Sequence, residues 1–529
     1  MDRKKQMSLG VILSYISIAV KLASGILYTP IVLNSLGQSQ YGVYSLCISC
    51  IGYLTILNAG VNAAYIRFYV QEKMVCEKNV EKLNGLFCKI FIVLSAVCFI
   101  GGLLIAQFSP IIFGTKITAN EYELVRKCFI LLAFTIAVEV FTCLFKSFIT
   151  ANEEFIFGKT FDIIGAILAP VLTLPFLLCG LDCIVIFKVR FGVSTLLLLL
   201  NIVFCCNKLG IRFRFAKEEP RMLKNISQFI GFIALQSVMD QLNWQIDKFI
   251  LARTQGTSQI SIYSVGSTFN TYFLMIGGAV SGVFIAEINR LVVIGDETGL
   301  NRLFRRTCKW FTYLVGFIIT VFFIFGRPFV LRWAGAEYSQ SFTVGWMLML
   351  PVSFSMVMGL GQDIARAKNR HQIQILINVC VCVGNMLISI PLAIHFGAVG
   401  SAFGTFIAET IICIIVQPVY YKKVLDIDVK NIFLDVVQCL KGLVLPVVFG
   451  LAIHHFDLVK ENYISILFFG ILYVIVYMVC FMLFSMEKDD RKYVLDIVKK
   501  KKNRKGTKNG RLLHFTKQDT SSQNNDRDI

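Results

Sequence analysis

Charge is the scarcest commodity in this 529-residue chain. Asp, Glu, Lys and Arg together make up 16% of it, against 56% hydrophobic residues and a mean hydropathy of +0.69. A soluble fold of this length has no interior large enough to hide that much apolar surface, whereas a bilayer demands apolar spans of about 20 residues. Soluble multidomain architectures are therefore excluded, and the chain reads as an all-α integral membrane protein. Catalytic signatures are also lacking. No large loop carries a metal-binding DxD, no glycine-rich phosphate loop appears, and no nucleophile motif stands in context. Loops are short on both faces, which argues against a membrane-bound glycosyltransferase or glycan polymerase, and the chain is not expected to be an enzyme. The pair His454–His455 has no carboxylate or cysteine beside it, so no metal site is expected. A disulfide framework is missing as well. Of 17 cysteines, Cys47, Cys50, Cys98, Cys143, Cys205, Cys206, Cys380, Cys382, Cys413 and Cys480 lie inside apolar runs, where free cysteine behaves as a small hydrophobe.

What is present is a succession of apolar runs. They predict about fourteen transmembrane helices over 8–33, 41–66, 86–108, 121–148, 156–179, 183–207, 225–251, 259–289, 307–331, 341–364, 371–394, 398–421, 432–455 and 462–486. The first run is too long for a cleaved signal and carries Lys21 in its middle. The net charge of +19 is not spread as a nucleic-acid footprint: basic residues crowd alternate loops and the tail. Arg3, Lys4 and Lys5 precede the first span. Lys73, Lys78 and Lys82 follow the second, and a cluster from Lys208 to Lys224 follows the sixth. Arg366, Lys368 and Arg370, then Lys422, Lys423 and Lys430, continue the alternation to "KKKKNRK" at Lys499–Lys505. By the positive-inside rule both termini belong to the cytoplasmic side of a bacterial inner membrane.

The stretch "LGQSQYGVYSL" (Leu36–Leu46) has a worn copy in "QGTSQISIYSV" (Gln255–Val265), displaced by 219 residues. The displacement predicts two parallel six-helix repeats followed by two C-terminal helices. The corresponding division is an N-terminal lobe 1–208, a basic cytoplasmic linker 209–224, a C-terminal lobe 225–423, helices 13 and 14 over 424–486, and a basic disordered cytoplasmic tail 487–529.

One helical face of the first span carries Ser17, Lys21, Ser24 and Tyr28, and the same displacement leads to Gln236, Asp240, Asn243 and Asp247. A charge in mid-bilayer costs about 2.5–3.5 kcal/mol, so these stripes are expected to line one hydrated cavity, with Lys21 and Asp240 approaching one another across it. Glu139 and Asp240 are candidate coupling carboxylates. Lys188 and Arg190 are candidate secondary cations near the outer end of the sixth span, and Lys146 and Asp162 are expected at the inner boundary.

"LNSLGQSQYGVYSL" at Leu33–Leu46, "DKFILARTQGTSQISIYSVG" at Asp247–Gly266 and the stretch from Ala367 to Glu409 ending "FGAVGSAFGTFIAE" resemble polysaccharide flippases of the MOP superfamily, the Wzx-type exporters of O-antigen or teichoic-acid precursors. The resemblance implies a MATE-like V-shaped bundle. It also implies translocation of a polyprenyl-diphosphate-linked oligosaccharide from the inner to the outer leaflet by alternating access. The sugar and phosphates would cross a hydrated cavity in which Lys21 meets the diphosphate. A coupling ion (proton or sodium) and no other cofactor is implied. Implied partners are the lipid-linked oligosaccharide, membrane lipids, and the glycan polymerase and glycosyltransferases of the same pathway, with the transporter a monomer that binds no nucleic acid. The alternative is a MATE-type cation-coupled drug or metabolite antiporter, for which Asp240 and Glu139 would serve as exchange carboxylates.

Overall fold

The structure, a computed structural model, describes residues 3–74, 77–216, 220–282, 284–368, 370, 372–456, 458–459 and 461–485. The tail expected over 487–529, part of the linker 209–224, and the side chains of Gln236 and Asp240 lie outside the described residues. In chain order the helices are α1 Arg3–Leu54, α2 Ile56–Lys73, α3 Glu77–Phe113, α4 Ala119–Ala151, α5 Phe155–Leu178 and α6 Ile184–Asn207. They continue with α7 Pro220–Thr254, α8 Thr257–Ser281, α9 Ile285–Ile294, α10 Glu297–Ala334, α11 Ser339–Val357 and α12 Leu360–Ala367. The last are α13 Gln372–Ile411, α14 Gln417–Val424, α15 Val429–Lys441, α16 Val444–His455 and α17 Tyr463–Cys480. No strand occurs among the described residues.

The expected fourteen spans in two six-helix repeats are not what the chain forms. Among the described residues nine helical runs are long and apolar enough to cross a membrane, or ten if the bent pair Val429–Lys441 and Val444–Ile453 is one span. Two causes account for the difference. First, no loop separates the helices on either side of Gly37 or of Gly397, so Ile12–Lys73 and Gln372–Val424 are each one run of helices joined at a kink. The chain turns within them at one glycine each, Gly37 (φ 67, ψ 179) and Gly397 (φ 59, ψ −136). Second, α7 and α8 do not join the apolar set. The sequence of α7 carries Arg221, Lys224, Asp240, Asp247, Lys248 and Arg253, and α8 is rich in serine and threonine. The short helices α9, α12 and α14 also have no counterparts among α1–α6, so the described helices do not lay out two matching six-helix repeats.

Helix starts follow local chemistry. Thr118 and Glu121 form a reciprocal capping box at α4, the Asp296 carboxylate accepts from the Gly299 N–H at 2.8 Å to open α10, and Gly295 closes α9 in the left-handed conformation. The largest buried core joins α1–α6 to parts of α7, α8, α10, α11 and α13. A second gathers α8–α15 around Phe304 and Tyr421, and a third packs α10 against α16 and α17. Outside these cores, Leu27, Ile111, Leu387 and Ile464 are 70–76% exposed. So many outward apolar side chains on spanning helices make a lipid-facing surface, and the chain is a multi-pass membrane protein.

The two similar stretches found in the sequence meet at one end of the bundle. Gln38 donates from Nε2 to the Glu337 carbonyl at 2.9 Å and accepts at Oε1 from Ser258 at 2.6 Å. Ser39 (2.5 Å) and Thr257 both donate to Glu121 Oε1. Gln40 accepts from the Cys183 N–H at 3.1 Å, and its counterpart Gln259 accepts from the Ala398 N–H at 2.9 Å. Gln40 thus ties its turn to the start of α6, and Gln259 ties its turn to the bend of α13 at Gly397.

The turn at Gly37 occupies backbone space that is essentially restricted to glycine. Gly37→Ala is expected to destabilise the protein by about 1–3 kcal/mol, read as a lower thermal midpoint in detergent. An unchanged midpoint would show that this turn is not under the stated constraint.

Candidate transport cavity

A cavity of about 570 Å³ lies among α1, α4, α5 and α6. From α1 it receives Lys21, Ser24 and Tyr28, spaced so that one helical face supplies all three. Ser24 donates to the Ala166 carbonyl at 3.3 Å, anchoring that face to α5. Ser17, expected on the same wall, is buried and does not line the cavity. The turn at Gly37 lies sixteen residues beyond Lys21, about 24 Å of helix, so the ammonium is far from the closed end.

Five ionisable residues line this space: Lys21, Lys146 and Arg190 against Glu139 and Asp162. Four of them form two ion pairs. Arg190 donates to Glu139 through Nε at 3.0 Å and Nη2 at 3.1 Å, and Ser194 adds a third donor at 3.0 Å. Lys146 Nζ lies 2.9 Å from Asp162 Oδ1. Lys21 makes no ion pair with a described residue. The lining therefore carries one net positive charge, borne by Lys21. Glu139, expected as a coupling carboxylate, is occupied as the counter-ion of Arg190. Lys146 and Asp162, expected at the inner boundary, meet inside the cavity. Lys188 is exposed and does not line it.

The residues expected from α7 go elsewhere. Asp247 is 1% exposed. Its carboxylate accepts from Tyr263 at 2.8 Å and Ser401 at 2.6 Å, and Thr405 Oγ1 sits 3.1 Å from both Asp247 Oδ2 and Asn385 Oδ1. Ser389 donates to Asn385 Oδ1 at 2.6 Å. Hydroxyls thus hold Asp247 inside the α7–α8–α13 packing. Asn243 donates to Glu409 of α13 at 2.7 Å. Gln236 and Asp240, and with them the expected approach of Lys21 to Asp240, lie outside the described side chains.

Sequence reasoning missed Ser194, Tyr44 and Thr173 on the cavity wall, and Glu409 altogether. Glu409 had a signal: it is the one acidic residue between Gln372 and Val424. The pairing of Glu139 with Arg190 had none beyond opposite sign, because the two sit on different helices.

The cavity pairs are expected to couple energetically. Glu139→Gln alone leaves Arg190 without its counter-ion and is expected to cost about 1–3 kcal/mol, discounted for partial exposure, while adding Arg190→Gln should return part of that loss. A double-mutant cycle on unfolding in detergent measures the coupling, and strictly additive effects would contradict the pairing.

Comparison with known proteins agrees with this architecture. Residues 35–343 match a family model described as polysaccharide biosynthesis protein. A Shigella flexneri protein described as an O-antigen transporter is 20% identical over 401 residues, covering 73% of this chain and 91% of its own length. The structure of the lipid II flippase MurJ in an inward closed conformation superposes with a TM-score of 0.69 at 15% identity, covering 90% of this chain and 98% of that one. A multidrug resistance MATE family transporter of the MOP superfamily, inward-facing, gives 0.65 at 14% identity, covering 78% and 99%. Such likeness establishes a shared fold, and the family match spans more than half of the sequence. The chain, a multi-pass membrane protein, belongs to the polysaccharide biosynthesis protein family.

Proposed function

We propose that the chain carries a polyprenyl-diphosphate-linked oligosaccharide from the inner to the outer leaflet of a bacterial inner membrane by alternating access, supplying cell-surface polysaccharide synthesis. The observation that carries the reading is a 570 Å³ cavity walled by membrane helices whose two ion pairs neutralise all its charges except that of Lys21. A diphosphate is the anionic part of such a substrate. Lys21 attracts it, Arg190 offers guanidinium donors not used by Glu139, and Ser24 and Tyr28 supply neutral hydroxyls. The lipid tail stays in the bilayer beside the apolar outer surface. With both termini cytoplasmic, the closed end built by Gln38, Glu121 and Ser258 is the outer one, and the cavity receives its substrate from the inner leaflet.

Energy enters through a coupling ion, a proton or sodium, at Asp247. An all-oxygen set of one carboxylate, three hydroxyls and an amide oxygen suits either ion, since a proton neutralises the carboxylate and a small hard cation replaces the hydroxyl donors. Asp247 packs α7 to α13, so its charge state bears on how those helices sit together.

Two variants test the reading. Lys21→Ala is expected to leave membrane insertion intact while lowering glycan export at least about tenfold, with Lys21→Arg retaining most of it. Export is followed as surface polymer and as lipid-linked glycan accumulating in the inner leaflet, and full export by Lys21→Ala would end the assignment. Asp247→Asn is expected to fold and to bind substrate, yet lose the dependence of transport on an imposed proton or sodium gradient in proteoliposomes. A retained gradient dependence would move coupling to another group.

A further inference from the structure

A second cavity, of about 260 Å³, lies in the other half of the chain among α7, α8, α10, α11, α12 and α13. Its polar wall consists of Ser355, Gln362, Asp363, Arg366 and Glu409, and Trp244 forms one side. Asp363 is paired with Arg366 at 3.3 Å. Glu409 has no ion pair among the described residues: Asn243 donates to its Oε1 at 2.7 Å, and the Cys413 thiol lies 3.9 Å from its Oε2. No cation among the described residues lies within ion-pair distance of it. An intramembrane carboxylate facing a cavity without a counter-ion is costly to keep and marks a functional site.

The chemistry of this wall is the reverse of the first. It carries two carboxylates against one guanidinium and so repels a diphosphate. Nor does it suit a metal, since no group of three or more His, Cys, Asp or Glu side chains converges among the described residues. Its volume falls below the roughly 300–1,000 Å³ typical of pockets for drug-sized ligands, which leaves room for one ring. A sugar ring presents apolar C–H faces and a rim of hydroxyls. An indole covers the first, and carboxylate and amide oxygens accept from the second.

Building on the transport function proposed above, we infer that this cavity is a subsite for a single neutral sugar ring of the lipid-linked glycan. Trp244 lies against the ring face, and Glu409 and Gln362 hydrogen-bond its hydroxyls while the diphosphate occupies the Lys21 cavity. Charge thus sorts the two parts of one substrate between the two halves of the protein.

The test is calorimetric titration of the full-length protein in lipid nanodiscs with two probes, farnesyl diphosphate and the same lipid bearing one N-acetylglucosamine. The sugar is expected to tighten binding to the wild type by about tenfold or more, the scale of one hydrogen bond to a charged group. Trp244→Ala and Glu409→Gln should each lose that gain and bind farnesyl diphosphate as before, while Lys21→Ala should weaken both probes. The inference is overturned if the sugar adds nothing to wild-type affinity or if the variants keep the gain. It is equally overturned if they weaken both probes alike, or if they lose binding of tetraphenylphosphonium instead, which would make the cavity an organic-cation site. A wild type that binds neither probe would undo the transport function itself, and the subsite with it. Trp244→Leu, which keeps bulk without an aromatic face, replaces the alanine variant should the latter fail to fold.

Discussion

The cost of holding an ion away from water governs where this chain puts its few charges. Within the spans a charged side chain must find an opposite partner, a cage of hydroxyls or a hydrated space, and each solution appears at a different place. Arg190 and Glu139 pair across α6 and α4, and Lys146 and Asp162 across α4 and α5. Asp435 of α15 is shared by Arg305 at 2.7 Å and Lys309 at 3.7 Å on α10, which docks the bent α15–α16 pair onto the bundle. Asp247 uses hydroxyls. Among the described charges that line the two cavities, Lys21 and Glu409 have no opposite charge paired to them, one in each cavity.

The closed end shows a complementary economy. Its contacts are hydroxyls and amides of short side chains, with Glu121 as the one shared acceptor for Ser39 and Thr257. Hydrogen bonds of this kind contribute about 0.5–1.5 kcal/mol net apiece, so a handful can hold an end shut without making it irreversible. Trp333 reinforces it from α10, donating its indole N–H to the Ile26 carbonyl of α1 at 2.8 Å. This end is thus held by contacts that readily exchange for water.

The sequence made some of this legible. Lys21, Ser24 and Tyr28 were readable because a single helix sets their spacing, and α1 is continuous through them. The turn motif around Gln38 and Gln40 was readable as a copy of that around Gln259, although their meeting was not, since nothing in either stretch encodes contact with the other. Asp247 was placed on the right helix and the wrong surroundings. Period 3.6 assigns a face but not what packs against it, and Ser401 and Thr405 come from more than 150 residues away. The helix count failed where a single glycine bends a helical run that otherwise continues, as at Gly37 and Gly397, because the apolar pattern carries no mark of it.

For the transport proposed above, the near-balance of the first cavity has a consequence. A carrier must bind its cargo well enough to admit it and weakly enough to let it go. Three unopposed cations around a diphosphate would hold it through several charge-assisted bonds at once, and release would become the slow step. Glu139 and Asp162 prevent that by neutralising Arg190 and Lys146 in advance, so that an arriving anion competes with carboxylates already in place. Lys21 then supplies the net attraction while the paired cations still contribute directional donors. The two carboxylates weaken binding by design: they set the depth of a well from which the substrate can leave on the far side.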